Sequence, residues 1–342
     1  MPNKNTYRLT LGVLIILLLL CFITNISLGS VSISNSELLG ILFGSSEESA
    51  LHQIVFNYRL PKALTAIIVG SGLGVSGLMM QTLFRNPLAG PFVLGITSGA
   101  SLGVALIIMG SAFFGGVLAS VIISKWSIVI AASLGSFLVL LSVLIVSTRV
   151  RDTMAILIIG LMFGSITTAI VSVLSYFSSA EELQQYIFWG FGSLGNLTWN
   201  EVLVLFIIYF LGILLSLTSI KALNTLLLGE NYARSLGLHI KRSRMTIIIA
   251  TSLLAGTITA FTGPIAFVGL AIPHMTRQIF NTSNHKLLLP AVFIFGAIIM
   301  LICDSIAQLP TSDYTLPINV ITSLIGAPVV IWLLVRKRKM VF

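Results

Sequence analysis

The sequence has little charge. Only 8% of its 342 residues are charged, whereas a soluble domain carries about 25% charged residues to cover its surface. Hydrophobic residues make up 56% of the chain, and the mean hydropathy is +1.06. This composition excludes a soluble globular domain, a coiled coil and a disordered chain, and it leaves a multi-pass membrane protein.

Residues and motifs that carry catalytic chemistry are also scarce. The chain has two cysteines and four histidines. Cys21 and Cys303 both fall in apolar runs, where they behave as small apolar side chains. There is no His-Glu-x-x-His sequence and no Gly-x-x-x-x-Gly-Lys-Ser/Thr phosphate loop. We therefore expect no catalytic residue, no metal site and no nucleotide hydrolysis in this chain, which argues against an intramembrane enzyme.

The apolar residues form runs long enough to cross a bilayer, which needs about 20 helical residues. We predict ten spans, at Leu9–Leu28, Leu60–Met80, Phe92–Gly110, Ser127–Ser147, Thr153–Phe177, Trp199–Ser219, Met245–Phe261, Ile265–Phe280, Leu287–Ala307 and Pro317–Val335. Pro264 and Pro273 interrupt the eighth span and shorten it. The apolar segment Ser111–Ser124 is too short to span and is predicted to be re-entrant or interfacial.

The basic residues orient these spans, because Lys and Arg near short loops stay in the cytoplasm. Of the 19 basic residues, all but Arg59, Lys62 and Lys125 fall on one side if both termini are cytoplasmic. The net charge of +9 is then topological, and it does not indicate nucleic acid. No carboxylate is predicted near the bilayer midplane, which argues against a proton- or sodium-coupled carrier. A secondary carrier or channel stays open as an alternative, and purification with or without an ATPase subunit discriminates it.

Glycines and a short motif predict how the spans are arranged. Three glycine pairs at i, i+4 spacing predict close helix packing: Gly70/Gly74, Gly99/Gly103 and Gly160/Gly164. A Gly-Pro motif opens the third span at Gly90–Gly95 and returns at the eighth span as Gly263–Gly269. In the predicted topology any repeat that joins these motifs would be inverted, an arrangement common in transporters. Gly-Pro at the start of a helix also has a purely local explanation.

The most informative polar segment is the predicted cytoplasmic loop Lys221–Arg244. Its centre, Leu227–His239, is typical of short amphipathic helices separated by Gly229 and Gly237. Apolar surface flanked by charge suggests an element that docks a partner. An interfacial helix lying on lipid is the alternative.

Six motifs occur in a fixed order between about Tyr58 and Val335. They are Arg59-Leu-Pro-Lys62, the run Gln81–Ala100, Trp189-x-x-Gly-Ser-Leu194, Leu228-Gly-Glu-x-x-Ala-x-x-Leu-Gly237, Phe267-Val-Gly-Leu-x-x-Pro-His-x-x-Arg277 and Leu316-Pro-x-x-Val-x-Thr-x-x-x-Gly-Ala-Pro328. With these motifs the chain resembles the membrane-spanning permease subunit of bacterial ATP-driven importers for iron chelates and vitamin B12, the ferric-siderophore, haem and cobalamin permease family.

The resemblance implies an all-α, ten-helix permease of the type II ABC importer architecture, with residues 1–342 as one transmembrane domain in the bacterial plasma (inner) membrane. Such a subunit pairs as a homodimer in the lipid bilayer, contacts two ATP-binding ATPase subunits and receives cargo from an extracytoplasmic binding protein. It performs no bond chemistry and binds no cofactor, and ATP and Mg²⁺ are held by the ATPase. The expected cargo is a ferric siderophore or haem, and cobalamin is the alternative. The Ser- and Thr-rich fifth span and the tenth span are the candidate pathway lining.

The resemblance also assigns roles to residues. Gly229–Gly237 matches the segment that couples to the ATPase, with Glu230, Ala233 and Leu236 as its contact face. Asn86, Pro87 and Leu88 match a loop of the cytoplasmic gate, although a plain turn also fits them.

On the outer side, Arg59 and Lys62 match positions that pair with acidic residues of the binding protein. This role would explain basic residues on the side where they are disfavoured. A third basic position of some members is Gln308 here, so docking is expected to be less electrostatic or arranged differently.

Overall fold

The computed structural model describes residues 4–31, 33–42, 44, 50–110, 124–150, 153–310, 312 and 314–335. Over these ranges the chain is helical and contains no strand, as the all-α prediction requires. Apart from Ser124, the segment predicted to be re-entrant lies outside the described residues. Ser124 itself caps the helix that follows, because its side chain accepts a hydrogen bond from the backbone N–H of Ser127 at 3.2 Å.

The described residues form fifteen α-helices. In chain order they are α1 (Lys4–Ser27), α2 (Asn35–Leu42), α3 (Ala50–Ile54), α4 (Leu60–Leu83), α5 (Ile96–Ile108), α6 (Lys125–Arg149), α7 (Thr153–Phe177), α8 (Ala180–Gly190), α9 (Trp199–Thr218), α10 (Ile220–Leu226), α11 (Glu230–Ser235), α12 (Ile240–Thr262), α13 (Val268–Phe280), α14 (His285–Ala307) and α15 (Ile318–Val335). A π-helical turn, Val55–Arg59, joins α3 to α4, and a 3₁₀ turn, Pro91–Leu94, precedes α5.

Each of the ten predicted spans coincides with a helix. Among the described residues, seven helical segments are long and apolar enough to cross a membrane by themselves. The other three predicted spans are the shorter helices α5, α13 and α15. The second span is longer than predicted, since the π-helical turn continues the helix and gives an unbroken segment of 34 residues, Ala50–Leu83.

The chain folds into two compact units. The first contains Met1–Gly74, Ser193–Ile207 and Ile265–Val341, and the second contains Val75–Gly192 and Ile208–Pro264. In the first unit α14 is central and packs against α1, α13 and α15. In the second unit α5 is central and packs against α6, α7, α8 and α12. The prediction of a single permease domain over residues 1–342 stays a prediction.

Glycines allow helices within each unit to approach closely. In the second unit a Cβ on Gly103 would lie 2.0 Å from the carbonyl oxygen of Ala131. In the first unit a Cβ on Gly70 would lie 2.2 Å from the carbonyl oxygen of Gly296. Both distances are shorter than any van der Waals contact, so larger residues at these positions would push the helices apart. The predicted close packing at these glycines is confirmed.

The two segments that share the Gly-Pro motif are built alike. Helices α5 and α13 both have 13 residues, and each begins directly after a residue in the left-handed region, Gly95 (φ 71°) or Phe267 (φ 64°). A bulky residue is uncommon in this region. At Phe267 the conformation is supported by its neighbours: the N–H of Ala266 donates to Asn319 Oδ1 at 3.0 Å, and Gly326 leaves room for the Phe267 side chain. This shared construction supports the internal repeat seen in the sequence.

Candidate coupling and docking sites

The predicted coupling segment contains a short helix bounded by two glycines. Gly229 (φ 99°, ψ 153°) precedes α11, and Gly237 (φ 82°) follows it. Positive φ at both positions suits glycine, which lacks the Cβ that disfavours this region. The prediction that Gly229 and Gly237 delimit a short helix is confirmed.

Backbone hydrogen bonds close the end of α11. The N–H of Leu238 donates to the carbonyl of Ala233 at 3.0 Å, and the N–H of Gly237 donates to the carbonyl of Arg234 at 3.0 Å. This pair of bonds is a Schellman motif with glycine at its left-handed position. It fixes the end of a helix that is too short to be stable by itself.

An ion pair ties the start of α11 to α12. Glu230, the first residue of α11, contacts the guanidinium of Arg244 with an N–O distance of 2.9 Å. The Arg244 side chain is 9% exposed and that of Glu230 is 29% exposed. Another guanidinium nitrogen of Arg244 lies 3.5 Å from the carbonyl oxygen of Val150, just beyond α6. The carboxylate of Glu230 therefore pairs within the chain and positions α11; its contact with an ATPase stays a prediction.

The contact face assigned to this segment needs one correction. Ala233 has no exposed surface, because it packs into the second unit, so it cannot contact a partner directly. Leu236 is 60% exposed, and the other large exposed apolar residues of the segment are Tyr232 at 57% and Leu228 at 58%. These three residues, spaced four apart, are the apolar surface that the segment offers; we call them the apolar rim.

Two residues of the apolar rim, Leu228 and Tyr232, line an open cleft of about 820 Å³. The cleft is lined by Leu83, Phe84, Arg85, Met154, Leu226, Leu228, Gly229, Glu230, Asn231, Tyr232 and Ser235. All of these residues belong to the second unit. The coupling segment thus forms one wall of a cavity on the predicted cytoplasmic side.

The predicted gate loop is a compact turn. The side-chain oxygen of Asn86 accepts a hydrogen bond from the N–H of Leu88 at 2.9 Å, and the backbone carbonyl of Asn86 accepts one from Ala89 at 3.1 Å. Pro87 is partly buried and Leu88 is 39% exposed. The geometry is that of an Asx turn, and the gating role of these residues stays a prediction.

Arg59 is the first of the two predicted docking cations, and it caps a helix. One of its guanidinium nitrogens donates to the carbonyls of Ile26 and Ser27 at 2.8 and 2.9 Å, and the other donates to the carbonyl of Val31. The first two carbonyls belong to the last turn of α1. A cation at this position satisfies carbonyls that have no partner in the helix and opposes the negative end of the helix dipole.

Lys62, the second predicted docking cation, pairs with a buried carboxylate. Its ammonium lies 3.2 Å from Asp304, whose side chain is 3% exposed. Asp304 also accepts hydrogen bonds from Asn25 Nδ2 at 3.0 Å and from Gln308 Nε2 at 2.8 Å. Gln308, which the resemblance places at a third docking position, thus serves as a donor to Asp304. We call Lys62, Asp304, Asn25 and Gln308 the outer cluster.

These contacts change the explanation for cations on the outer side. Arg59 and Lys62 have partners within the first unit, so a docked protein is not needed to account for them. Both residues remain partly exposed, Lys62 by 21% of its side chain. Their role in docking stays a prediction.

The predicted pathway helix α7 carries a stripe of hydroxyl groups. Ser165, Thr168 and Ser172 are exposed and share one helix face by their spacing. Each hydroxyl donates to a carbonyl of its own helix at 2.9 to 3.2 Å. Because these groups are satisfied internally, the stripe is polar without offering free donors that would hold a cargo tightly.

The model of the FecCD transport family matches residues 17–336, which is most of the chain. The chain belongs to this family. It is 34% identical to the hemin transport system permease protein HmuU of Yersinia pestis over 333 residues, 97% of each protein. It is 36% identical to the vitamin B12 import system permease protein BtuC of Klebsiella pneumoniae over 285 residues, 83% of each.

A solved structure agrees with this assignment. The inward-facing structure of a metal-chelate type ABC transporter matches with a TM-score of 0.82 and 33% identity, over 97% of this chain and all of that chain. This FecCD chain is therefore the permease of an ABC importer, a multi-pass protein of the bacterial inner membrane.

Sequence reasoning missed several residues of these FecCD sites. No sequence pattern predicts an individual role for Arg244, Asn25, Asp304 or Arg85. Arg244 stands in a basic stretch with Lys241 and Arg242, and nothing in that pattern shows which side chain is buried. Asn25 and Asp304 are 279 residues apart in the sequence, and Glu230 and Arg244 are 14 residues apart across the end of α11, so only the fold identifies these pairs.

Proposed function

We propose that two copies of this FecCD permease form the translocation pathway of an importer for iron chelates. Two ATPase subunits bind the coupling segments and supply energy from ATP with Mg²⁺. A binding protein delivers the cargo on the outer side. Haem or a ferric siderophore is the proposed cargo, since the hemin permease HmuU is similar along almost the whole chain.

The observation that carries this proposal is the construction of α11. A helix of six residues is fixed at its start by Glu230–Arg244 and at its end by the Schellman motif, and its apolar rim is left exposed. A lipid-facing interfacial helix would not need both ends fixed. A coupling helix needs both ends fixed, because a loosely held segment would move with the partner without transmitting that movement to α12.

Replacing Gly229–Gly237 by a flexible linker of equal length tests the coupling role. We expect the complex reconstituted with its ATPase subunit and binding protein to lose cargo-stimulated ATP hydrolysis and transport. Replacing the exposed apolar rim residue Leu236 by Ser should also lower cargo-stimulated ATP hydrolysis and transport, but by a smaller amount. Persistence of cargo-stimulated hydrolysis in the linker variant would overturn the assignment.

Vitamin B12 is the second candidate cargo, because the chain is 36% identical to BtuC over 83% of its length. The two cargo classes separate in a transport assay with proteoliposomes. We expect radiolabelled haem or ferric siderophore to be taken up with the cognate binding protein and excess cobalamin not to compete. Uptake of cobalamin that an iron chelate does not inhibit would favour the second candidate.

A further inference from the structure

Arg85 occupies a backbone position that normally belongs to glycine. It follows the end of α4, where the N–H of Asn86 donates to the carbonyl of Gln81 at 3.1 Å and the N–H of Arg85 to the carbonyl of Thr82 at 3.3 Å. This is the same Schellman pattern that ends α11, where glycine fills the left-handed position. Here Arg85 fills it with φ 46°. A strained non-glycine residue indicates that its side chain serves a purpose that glycine would not.

The side chain of Arg85 reaches the cleft beside the coupling segment. Arg85 is exposed and lines the cleft, and its Nη1 lies 3.5 Å from where a Cβ would stand on Gly229. Within the described part of the chain, the guanidinium has neither a hydrogen-bond acceptor nor a carboxylate partner. An arginine fork that is open to solvent at a cavity mouth suits bidentate binding of a carboxylate.

The rest of the cleft leaves a positive charge for a partner to neutralise. Glu230, the carboxylate among the lining residues, already pairs with Arg244. Leu228 and Tyr232 of the apolar rim stand exposed at the same cavity. A cation beside exposed apolar side chains complements a surface that presents a carboxylate next to apolar or aromatic groups.

We propose that Arg85 is a docking cation for the ATPase subunit, and that the cleft receives an ATPase segment in which a carboxylate stands beside an apolar side chain. This inference rests on the proposed function, which places an ATPase at the coupling segment. It adds a contact from α4 to that interface. The interface would then hold two elements of the second unit, the end of α4 and α11.

The variant Arg85→Gly separates docking from folding, because glycine relieves the backbone strain while it removes the charge. We expect this variant in lipid nanodiscs to melt at or above the wild-type temperature and to bind the ATPase subunit roughly fivefold more weakly at low salt. Arg85→Lys should keep most of the affinity. Lys286→Gln, which removes an exposed cation from the same predicted side, is the matched control and should bind as the wild type does.

Three results would overturn this inference, and a fourth is the one that we expect. Wild-type affinity of Arg85→Gly, together with loss of coupling in the linker variant, would overturn this inference and leave the proposed function intact. Normal behaviour of both variants would overturn both. A defect that appears only in nanodiscs containing phosphatidylglycerol would assign the guanidinium to a lipid phosphate and overturn the proposal. A defect in neutral nanodiscs that fades with added salt, and that an ATPase Asp→Arg or Glu→Arg change rescues in Arg85→Glu, is the expected outcome.

Discussion

The outer cluster and the coupling segment each contain an ion pair, and the two pairs have opposite polarity. At the outer cluster the acid is buried and the base is partly exposed: Asp304 is 3% exposed and Lys62 21%. At the coupling segment the base is buried and the acid is partly exposed: Arg244 is 9% exposed and Glu230 29%. In both pairs the exposed member belongs to a family motif, and the buried member fixes that motif to a long helix.

This arrangement determines which member of each ion pair is more important for stability. Removing one member of a buried ion pair leaves the other as an uncompensated charge, at a cost of about 3 to 5 kcal/mol when the survivor is fully buried. A survivor near the surface can turn to water instead. At both sites the exposed member should therefore be the more damaging one to remove.

The largest effect is expected at the outer cluster. Lys62→Met leaves the buried Asp304 without a cation, and the short side chain of Asp304 cannot reach water. We therefore expect the free energy of unfolding to fall by about 3 kcal/mol. Asp304→Asn should cost less, because Lys62 remains partly exposed. Thermal unfolding in detergent, compared across both single variants and the double variant, measures this asymmetry. The double variant should recover most of the loss, and equal damage from the two single variants would contradict the prediction.

A smaller loss of stability is expected at the coupling segment. Glu230→Ala leaves Arg244 without its carboxylate, but the long arginine can reach toward solvent and it still approaches the carbonyl of Val150. We expect a cost of about 1 to 2 kcal/mol. Arg244→Met should cost less, because Glu230 is the more exposed partner.

The functional readout distinguishes the two ion pairs more sharply than stability does. Glu230→Ala should raise the ATP consumed per cargo transported, since α11 is released from α12. The folded fraction of Lys62→Met should consume as much ATP per cargo transported as the wild type does. Measured in proteoliposomes, a normal ratio in Glu230→Ala would show that the ion pair is not part of the coupling path.

The two glycines of the coupling segment should differ in what they tolerate. Gly237 is the left-handed residue of a Schellman motif, a position that asparagine also adopts, so Gly237→Asn should cost well under about 1 kcal/mol. Gly229, with φ 99° and ψ 153°, lies close to a region that is essentially restricted to glycine. We expect Gly229→Asn to cost about 1 to 3 kcal/mol by thermal unfolding and to weaken coupling as Glu230→Ala does. Similar losses at both glycines would mean that backbone conformation does not decide their tolerance.

The sequence was sufficient to predict features that are local or periodic. Hydropathy predicted ten spans that each coincide with a helix, and the glycines located the limits of α11, since both signals come from consecutive residues. It could not show that the π-helical turn at Val55–Arg59 extends the second span, because no residue pattern distinguishes that turn from a loop start. It also could not show the burial of Ala233, which depends on how α10, α11 and α12 pack, or the burial of Asp304, whose partners Asn25 and Lys62 are distant in the chain.

The same limit explains the interpretation of Arg59 and Lys62. Topology marked both as cations on the disfavoured side, and the family motif supplied a docking partner for them. The sequence contains no sign that the end of α1 and Asp304 converge on these residues. The contacts of a charged residue within its own chain must be known before the residue can be explained by binding to a partner protein.

The smallest expected effect concerns docking itself, and the outer ion pair provides the means to measure it. A charge reversal at Lys62 would disturb the cluster and so confuse docking with folding. Lys62→Met combined with Asp304→Asn removes both charges and keeps the packing, and this double variant should fold close to wild type. If Lys62 contributes to docking, the double variant should bind the binding protein roughly two- to fivefold more weakly at low salt, the range of an exposed charge pair. Unchanged affinity at every salt concentration would show that Lys62 serves only the stability of the outer cluster. The outer ion pair would then fix a motif to a long helix, as the Glu230–Arg244 pair does, and would not be a recognition site.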